Sequence, residues 1–236
     1  MNSTRRTSIT TGVLFIGATV AALAAAQLVD PVLTAADYLG AAATHPLQVA
    51  GGALLYLVAA ATSVGIAVSL YSVLKKVNAG LALGSVVFRA MEAVMYVVAV
   101  VGLLGVLTVG QQVTAGHAAD RASLQAVGDS LLSMREHATL VAVFAFSLGV
   151  LMYYAVFYQS RLVPRWLSGW GIGAVIVMMT ACLLALFSDS DVTDYKLLIL
   201  PIFVQEMVLA VWLIVKGFSH SPLQSVPTPK DSVPTG

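Results

Sequence analysis

The feature that most constrains the fold of this chain is a series of long, continuous apolar stretches. Six of them qualify, at residues 8–29, 47–74, 79–110, 137–158, 167–188 and 197–218. A helix needs about 20 mostly apolar residues to cross a bilayer, because each residue rises about 1.5 Å and the hydrocarbon core is about 30 Å thick. The stretches lack the two-residue alternation of membrane β-strands, and helices satisfy their own backbone amides. The sequence therefore predicts an all-α, polytopic membrane bundle with six transmembrane helices.

The overall charge and composition narrow the classes of partner. Hydrophobic residues make up 59% of the 236-residue chain and charged residues 10%, which is typical of membrane proteins. A net charge of +1 gives no basic surface for nucleic acid, so the expected partners are the lipid bilayer and a small solute, proton or lipid ligand. The single cysteine, Cys182, cannot form an intramolecular disulfide and is expected to pack as a hydrophobe.

The distribution of cations predicts the orientation of the helices. Eight of the twelve Lys and Arg residues fall at one set of helix ends, three at the other, and Arg89 lies within the third stretch. Because the cation-rich side of a membrane protein faces the cytoplasm, both termini are expected there, in a multi-pass protein of the cell inner membrane. The richer set comprises Arg5, Arg6, Lys75, Lys76, Arg161, Arg165, Lys216 and Lys230, and the poorer set Arg121, Arg135 and Lys196.

The first stretch also permits another interpretation. Arg5 and Arg6 precede an apolar run that ends in three alanines, residues 24–26, which is the pattern of a signal peptide with a small-residue cleavage site. Cleavage would leave five spans. We retain the uncleaved helix as the favoured interpretation, and mass spectrometry of the mature N-terminus distinguishes the two.

Segments outside the six stretches predict three further features. Leu124, Val127, Leu131 and Met134 are spaced by three and four residues, which predicts a short amphipathic helix in the outer loop. Four prolines after residue 218 predict a disordered cytoplasmic tail, so the domains are 1–218, the transmembrane domain, and 219–236, the tail. Aromatic residues near the fourth and fifth stretches predict headgroup anchors at Tyr153, Tyr154, Tyr158, Trp166 and Trp170.

Charged residues inside the third stretch are the strongest functional signal. At about 100° per residue, Ser85, Arg89, Glu92 and Tyr96 fall within about 60° of one another on a helix. Charges facing lipid would each cost several kcal/mol, so this stripe is expected to face other helices or a watery cavity. Glu92 follows Arg89 by one turn, which places the two within reach of an ion pair.

A second carboxylate, Glu206, lies at the centre of the sixth stretch and at a depth comparable with Arg89. We therefore expect the third and sixth spans to meet, so that one guanidinium faces two carboxylates. Arg89 can then pair with one glutamate while the other holds a proton or binds a cation. Gln205 is rotated by about 100° from Glu206, so at most one of them points fully into a central site. His137, at the start of the fourth stretch, is a candidate proton gate or a helix-end group.

Three segments resemble a bacterial integral-membrane family catalogued as "domain of unknown function four-three-eight-six". They are residues 87–93 in the third stretch, 160–171 between the fourth and fifth, and 200–218 in the sixth, and His137 matches a histidine of that family. The resemblance spans nearly the whole chain except the tail. It implies a six-helix membrane protein and groups the candidate residues Arg89, Glu92, His137, Gln205 and Glu206, but it implies no established activity.

Three classes of function remain open from the sequence. The favoured one is a bundle that binds or moves a small solute or proton at the internal site of Arg89, Glu92, Tyr96, His137, Gln205 and Glu206. The second is an intramembrane enzyme acting on a lipid or isoprenoid, with a protonated glutamate as general acid. The third is a structural or partner-binding subunit whose polar residues join its helices. The common motifs for metal, phosphate or nucleophilic catalysis are missing, so no metal or cofactor is expected, the catalytic residues are unknown, and an enzyme is the less favoured class.

Overall fold

The computed structural model describes residues 3–116, 121–188 and 195–219. These residues form seven α-helices and no strands, and six of the helices are long and apolar enough to cross a membrane, as the sequence predicts. The helices are α1 (Ser3–Leu33), α2 (Tyr38–Thr44), α3 (Pro46–Leu74), α4 (Ala79–Thr114), α5 (Arg121–Ser160), α6 (Arg165–Ser188) and α7 (Lys196–Val215). The chain is thus a multi-pass, all-α membrane protein.

Short polar or proline-containing segments determine where the helices begin and end. The side chain of Asn78 accepts a hydrogen bond from the amide of Leu81 and caps the start of α4. Pro46 occupies the first turn of α3, where its missing amide proton costs nothing. At the end of α7, Gly217 adopts a positive φ of 77°, a conformation that glycine reaches without strain, and its amide bonds to the carbonyl of Trp212.

The six long helices form a closed ring in the order α1, α3, α4, α5, α6, α7, and α7 packs back on α1. The N-terminal end of α1 is joined to the C-terminal end of α7 by Arg5, whose guanidinium donates to the carbonyls of Leu213 and Ile214 at 3.2 and 2.6 Å. Both described chain ends therefore lie at the same end of the bundle. The short helix α2 packs against α4 at the opposite end.

The expectation that the third and sixth spans meet is wrong as direct helix packing. They are α4 and α7, which lie across the ring from each other and share at most marginal contact. The order of the helices in the ring depends on contacts between residues that are distant in sequence, and this order separates α4 from α7.

Two apolar clusters stabilise the bundle at different depths. The larger one joins α1 and α3–α7, and extends along α6 and α7 from the end that carries the chain termini to Ala185 and Ile202. It includes Phe15, Leu70, Tyr153, Phe157 and Leu213. The smaller one joins α1–α4 near the α2 end, and includes Val29, Leu39, Val49, Leu103 and Val106. The polar residues Ser63, Arg89 and Glu92 are buried, and by their positions along α3 and α4 they lie between these two clusters.

The predicted outer-loop helix is part of a longer one. Residues 121–160 form the single helix α5, which continues from the loop into the bundle. Leu124 and Leu131 pack against the smaller apolar cluster, whereas Val127 and Met134 are exposed, so only part of the predicted face is covered. Ser219, the first residue of the predicted tail, donates its amide to the carbonyl of Leu162, and the tail prediction for residues 220–236 lies outside the described residues.

Two of the predicted headgroup anchors are core residues. Tyr153 and Tyr154 are fully buried, and they pack against each other with ring centroids 4.5 Å apart. The prediction was wrong for them because nearness in sequence to the loop does not tell which face of α5 a tyrosine occupies. Tyr158, Trp166 and Trp170 are exposed at the same end of the bundle, in keeping with their prediction as anchors.

Candidate functional site

A buried ion pair on α4 forms one wall of the candidate site. Nη1 of Arg89 lies 3.1 Å from Oε2 of Glu92, and both residues are buried. The hydroxyl of Ser63 on α3 donates to the same carboxylate oxygen at 2.9 Å. A buried charge is tolerated where it is paired and hydrogen-bonded, and both conditions hold for Glu92. The predicted Arg89–Glu92 pair is therefore present.

The other contacts of Arg89 leave Nε of its guanidinium without a hydrogen-bond partner among the described residues. Its Cζ lies 4.7 Å from the ring centroid of Phe146 on α5, a distance at which a cation is attracted to the aromatic face. Its stem passes Gly149, where an added Cβ would meet Cγ of Arg89 at 3.2 Å, so α5 provides space at this point. Among the described residues, Nε of Arg89 and the hydroxyl of Ser85 are buried without a hydrogen-bond partner. These groups can serve a bound molecule.

Glu206 on α7 forms the opposite wall and has no cation beside it. Oε1 of Glu206 accepts a hydrogen bond from the hydroxyl of Tyr153 at 3.2 Å. Within the described part of the chain, no Lys, Arg or His nitrogen lies within 4.0 Å of this carboxylate. The charges of Arg89 and Glu206 nevertheless interact across the interior. Arg89 is thus paired with Glu92, as one of the predicted arrangements has it, and Glu206 lies apart from that pair.

The position of Glu206 on α7 shows which space its side chain faces. Leu197, Val204 and Val215 are exposed on the lipid-facing side of this helix. At about 100° per residue, Glu206 points about 160–180° away from each of them, into the ring. Its carboxyl accepts from the fully buried Tyr153, which agrees with this direction. Glu206 therefore faces the interior of the ring and not the lipid.

Gln205, the neighbour of Glu206, has a different function in the structure. It is fully buried, its Nε2 donates to the carbonyl of Leu167 on α6 at 3.1 Å, and its Oε1 accepts from the hydroxyl of Tyr154 on α5. Both polar atoms are thus used in joining α5, α6 and α7. Gln205 does not contribute to the interior site.

The other predicted site residues separate into two groups. Tyr96 lies one turn beyond Glu92 on the interior side of α4, partly exposed, with its hydroxyl in electrostatic range of Glu92, Arg89 and Glu206. His137 is exposed on α5, and its Nδ1 contacts the carbonyl of Ser133 one turn earlier at 2.7 Å. The structure therefore brings together Arg89, Glu92, Tyr96 and Glu206, and leaves His137 and Gln205 outside the set.

Three residues of the site were not predicted from the sequence. They are Ser63, which binds Glu92, Tyr153, which binds Glu206, and Phe146, which contacts Arg89. Phe146 and Tyr153 are seven residues apart, or about two helical turns, so they share one face of α5. That spacing was visible in the sequence, but nothing showed that this face lines the interior.

Comparison with known proteins gives a family and no activity. Neither a curated protein nor a solved structure matches the chain. A family model matches residues 10–217, which covers the six long helices except the first seven residues of α1, and includes every residue of the candidate site. The chain belongs to the family described as Domain of unknown function (DUF4386).

Proposed function

We propose that this protein binds a proton, or a small solute together with a proton, at the interior site and moves it across the membrane. Glu206 is the binding group in this proposal, with Arg89 and Glu92 as a fixed neutral pair beside it. The observation that carries the proposal is the isolation of Glu206, a carboxyl that faces the interior of a membrane bundle with a tyrosine hydroxyl as its hydrogen-bond donor and no cation within 4.0 Å among the described residues.

The charge balance of the site supports a proton or cation as the ligand. Arg89 and Glu92 neutralise each other at 3.1 Å, so an ionised Glu206 would leave one net negative charge in the interior. An unpaired charge away from water costs several kcal/mol, and such a group takes up a proton or a counter-ion instead. Intramembrane carboxyls with this property serve as proton carriers in transporters.

The unused donors of the site support a small polar solute as a second ligand. Nε of Arg89 and the hydroxyl of Ser85 are buried on α4, and Glu206 lies across the interior on α7. A solute with an acceptor group at Arg89 and a donor group at Glu206 would use both walls. Because every new contact would be made inside the ring, binding and protonation of Glu206 would be coupled.

A structural role is the second candidate, and Gln205 is the observation that favours it. This glutamine joins three helices through two hydrogen bonds, and neither bond is to a residue of the site. In this second candidate, the other polar residues of the interior also serve only to join helices. The hydrogen bond between Tyr153 and Glu206 would then be another link between α5 and α7. The intramembrane enzyme would also use a protonated Glu206, and it would turn over a lipid that copurifies with the protein.

Infrared difference spectroscopy of the protein in proteoliposomes tests the proposal directly. A pH titration should produce the C=O stretch of a protonated carboxyl that Glu206→Gln removes and that Glu136→Gln, a matched change at a glutamate of α5 outside the site, retains. In the same vesicles, a trapped pH dye should report proton flux that Glu206→Gln lowers at least tenfold. Glutamine keeps an acceptor for Tyr153, so the fold should survive, which the thermal unfolding temperature would verify. An unchanged band and unchanged flux in Glu206→Gln would leave the structural role.

A further inference from the structure

The outer side of the α3–α4 pair carries a groove near the end of the bundle that holds the chain termini. It is lined by Val68 and Tyr71 of α3 and by Leu83 and Val86 of α4. Val68 and Leu83 are more than half exposed, so the groove faces the lipid, and the surface that it presents is apolar throughout. Its space of about 100 Å³ equals about three water molecules, which is enough for a segment of one hydrocarbon chain.

The groove runs along the helices from the turn that joins them. Residues 75–78 form this turn, between the end of α3 and the start of α4. Tyr71 and Leu83 lie about one helical turn from it, and Val68 and Val86 lie about two turns from it, or about 5 and 11 Å at 5.4 Å per turn. The groove therefore follows the direction that a lipid chain takes from the membrane surface toward the middle of the bilayer.

A lysine lies at the outer end of the groove. Lys75 is exposed, and its Nζ lies 5.3 Å from the ring centroid of Tyr71, one of the lining residues. At this distance the ammonium is attracted to the aromatic face, which holds the charge beside the groove. Lys76, the next residue of the turn, is exposed as well. Among the described residues, neither lysine has a carboxylate oxygen within 4.0 Å, so both charges are open to an anion.

The whole end of the bundle around these lysines is cationic. Within the described ranges, the carboxylates lie either in the interior, at Glu92 and Glu206, or nearer the α2 end, at Asp30, Asp37, Asp129 and Glu136. The end that holds the termini thus has no described carboxylate to balance its positive charge, and it attracts the anionic headgroups of a membrane surface. Its described cations are Arg5, Arg6, Lys75, Lys76, Arg161, Arg165 and Lys216.

We propose that the groove and its two lysines form a binding site for an anionic phospholipid. One acyl chain lies in the groove between α3 and α4, and the phosphate contacts Lys75 and Lys76 at the turn. Charge favours this occupant over a second copy of the chain, because two copies that met at this groove about a two-fold axis would bring like charges together. The site goes beyond the proposed function, since none of its residues belongs to the set around Glu206.

A lipid bound in this groove would join the two helices that hold the buried ion pair. Val86 lies one turn before Arg89 on α4, and α3 carries Ser63, which donates to the carboxylate of Glu92. A ligand that binds only the folded state stabilises it by mass action. The bound lipid should therefore raise the temperature at which the bundle unfolds.

Lipid binding to the purified protein in a nonionic detergent tests the site. Delipidated protein is titrated with phosphatidylglycerol or with phosphatidylcholine of the same acyl chains. Native mass spectrometry measures the dissociation constant of the first bound lipid, and tryptophan fluorescence measures the unfolding temperature. Phosphatidylcholine, which is zwitterionic, isolates the effect of the headgroup charge. Glycerol 3-phosphate, which has no acyl chains, isolates the effect of the phosphate.

The wild type should bind phosphatidylglycerol at least about fivefold more tightly than phosphatidylcholine, because each lysine near an anionic headgroup contributes about that factor. Lys75→Gln should weaken the binding of phosphatidylglycerol by about fivefold for the same reason. Lys216→Gln is the matched control, at an exposed lysine of the same end on α7, and it should leave the dissociation constant within about twofold. Both lysines are exposed, so both variants should fold.

A second pair of variants tests the groove itself. Val86→Trp fills the space between α3 and α4, whereas Val87→Trp places the same side chain at the exposed neighbouring residue outside the lining. Val86→Trp should lose the preference for phosphatidylglycerol, and Val87→Trp should keep it. The unfolding temperature without lipid verifies that both variants are folded.

Four results would overturn the proposal. They are equal binding of the two lipids by the wild type, equal effects of Lys75→Gln and Lys216→Gln, an undiminished preference in Val86→Trp, and stabilisation by glycerol 3-phosphate at the same concentration. The first would leave the groove to lipid of any charge, the second would reduce the effect to the general charge of this end, and the last would indicate a site for free phosphate. None of these results depends on the protonation of Glu206.

Discussion

Removing Arg89 alone should destabilise the bundle far more than removing Arg89 and Glu92 together. In Arg89→Met, the carboxylate of Glu92 stays buried with the hydroxyl of Ser63 as its remaining partner, at 2.9 Å. In the double variant Arg89→Met with Glu92→Met, the interior holds two apolar side chains of similar length, and no charge is left uncompensated. The two variants therefore separate the cost of a broken pair from the value of the pair itself.

The magnitude follows from burial and geometry. Breaking a buried ion pair by deleting one partner costs about 3–5 kcal/mol, and losing the contact of Arg89 with Phe146 adds about 0.5–2 kcal/mol. For a domain of this size, each kcal/mol lowers the melting temperature by about 2–4 °C, so Arg89→Met should melt at least about 6 °C below the wild type. The double variant should lie within about 2 kcal/mol of the wild type, because well-packed apolar replacements of buried pairs are neutral or stabilising.

Tryptophan fluorescence of the purified protein, heated in one detergent at one concentration, provides the melting temperatures. A double-mutant cycle with Glu92→Met as the fourth protein yields the coupling energy between the two residues. Arg89→Lys serves as a matched control that retains the charge. If Arg89→Met melts within about 2 °C of the wild type, the carboxylate of Glu92 is not held as a buried ion, and the charge argument for the site loses its basis.

Two further predictions concern contacts at opposite ends of the bundle. Arg5→Gln should lower the melting temperature by several degrees, because each charge-assisted bond to the α7 carbonyls contributes about 1.5–3 kcal/mol. Arg6→Gln, at the exposed neighbouring residue, should leave the melting temperature unchanged. Equal effects of the two substitutions would show that the contact of Arg5 with α7 is not formed. The hydroxyl of Tyr38 donates to Asp129 at 2.6 Å, and burial followed by this bond raises the pKa of Tyr38 above its ordinary value of 10.0. Since the unfolded tyrosine loses its proton first, this stabilisation is complete below about pH 10 and falls as the pH rises further. Chemical denaturation at pH 8 to 11 should therefore show that the free energy of unfolding falls more steeply with pH for the wild type than for Tyr38→Phe. The same pH dependence in both proteins would show that the pKa of Tyr38 is not raised.

Local spacing predicted the elements of this fold well, and contacts across the ring poorly. The six spans and the pair of Arg89 with Glu92 are local features, since length and apolar content define a span and one helical turn defines the pair. The partners Ser63 and Tyr153 are on other helices, 29 and 53 residues away from the glutamates that they bind. No periodicity within one helix specifies which helix packs beside it, so those partners required the three-dimensional arrangement.

His137 and Gln205 were predicted to belong to the site, but the structure places both outside it. Their residue types and positions grouped them with the site, yet His137 bonds to its own helix and Gln205 joins three helices. A polar side chain in an apolar helix shows that a partner is needed, but not which one. The continuous helix α5 was missed because the polar residues before residue 137 were assigned to a loop.

The lengths of α4 and α5 have a mechanical consequence. With 36 and 40 residues, these helices are about 54 and 60 Å long, nearly twice the thickness of the hydrocarbon core. Gly102 and Gly105 let α5 pack closely against α4, so the two helices behave as one stiff pair. A tilt of about 10° at the level of Arg89, about 38 Å from the end of α4 at Thr114, would displace that end by about 7 Å. Small movements of the two helices around Arg89 would therefore displace their ends outside the membrane.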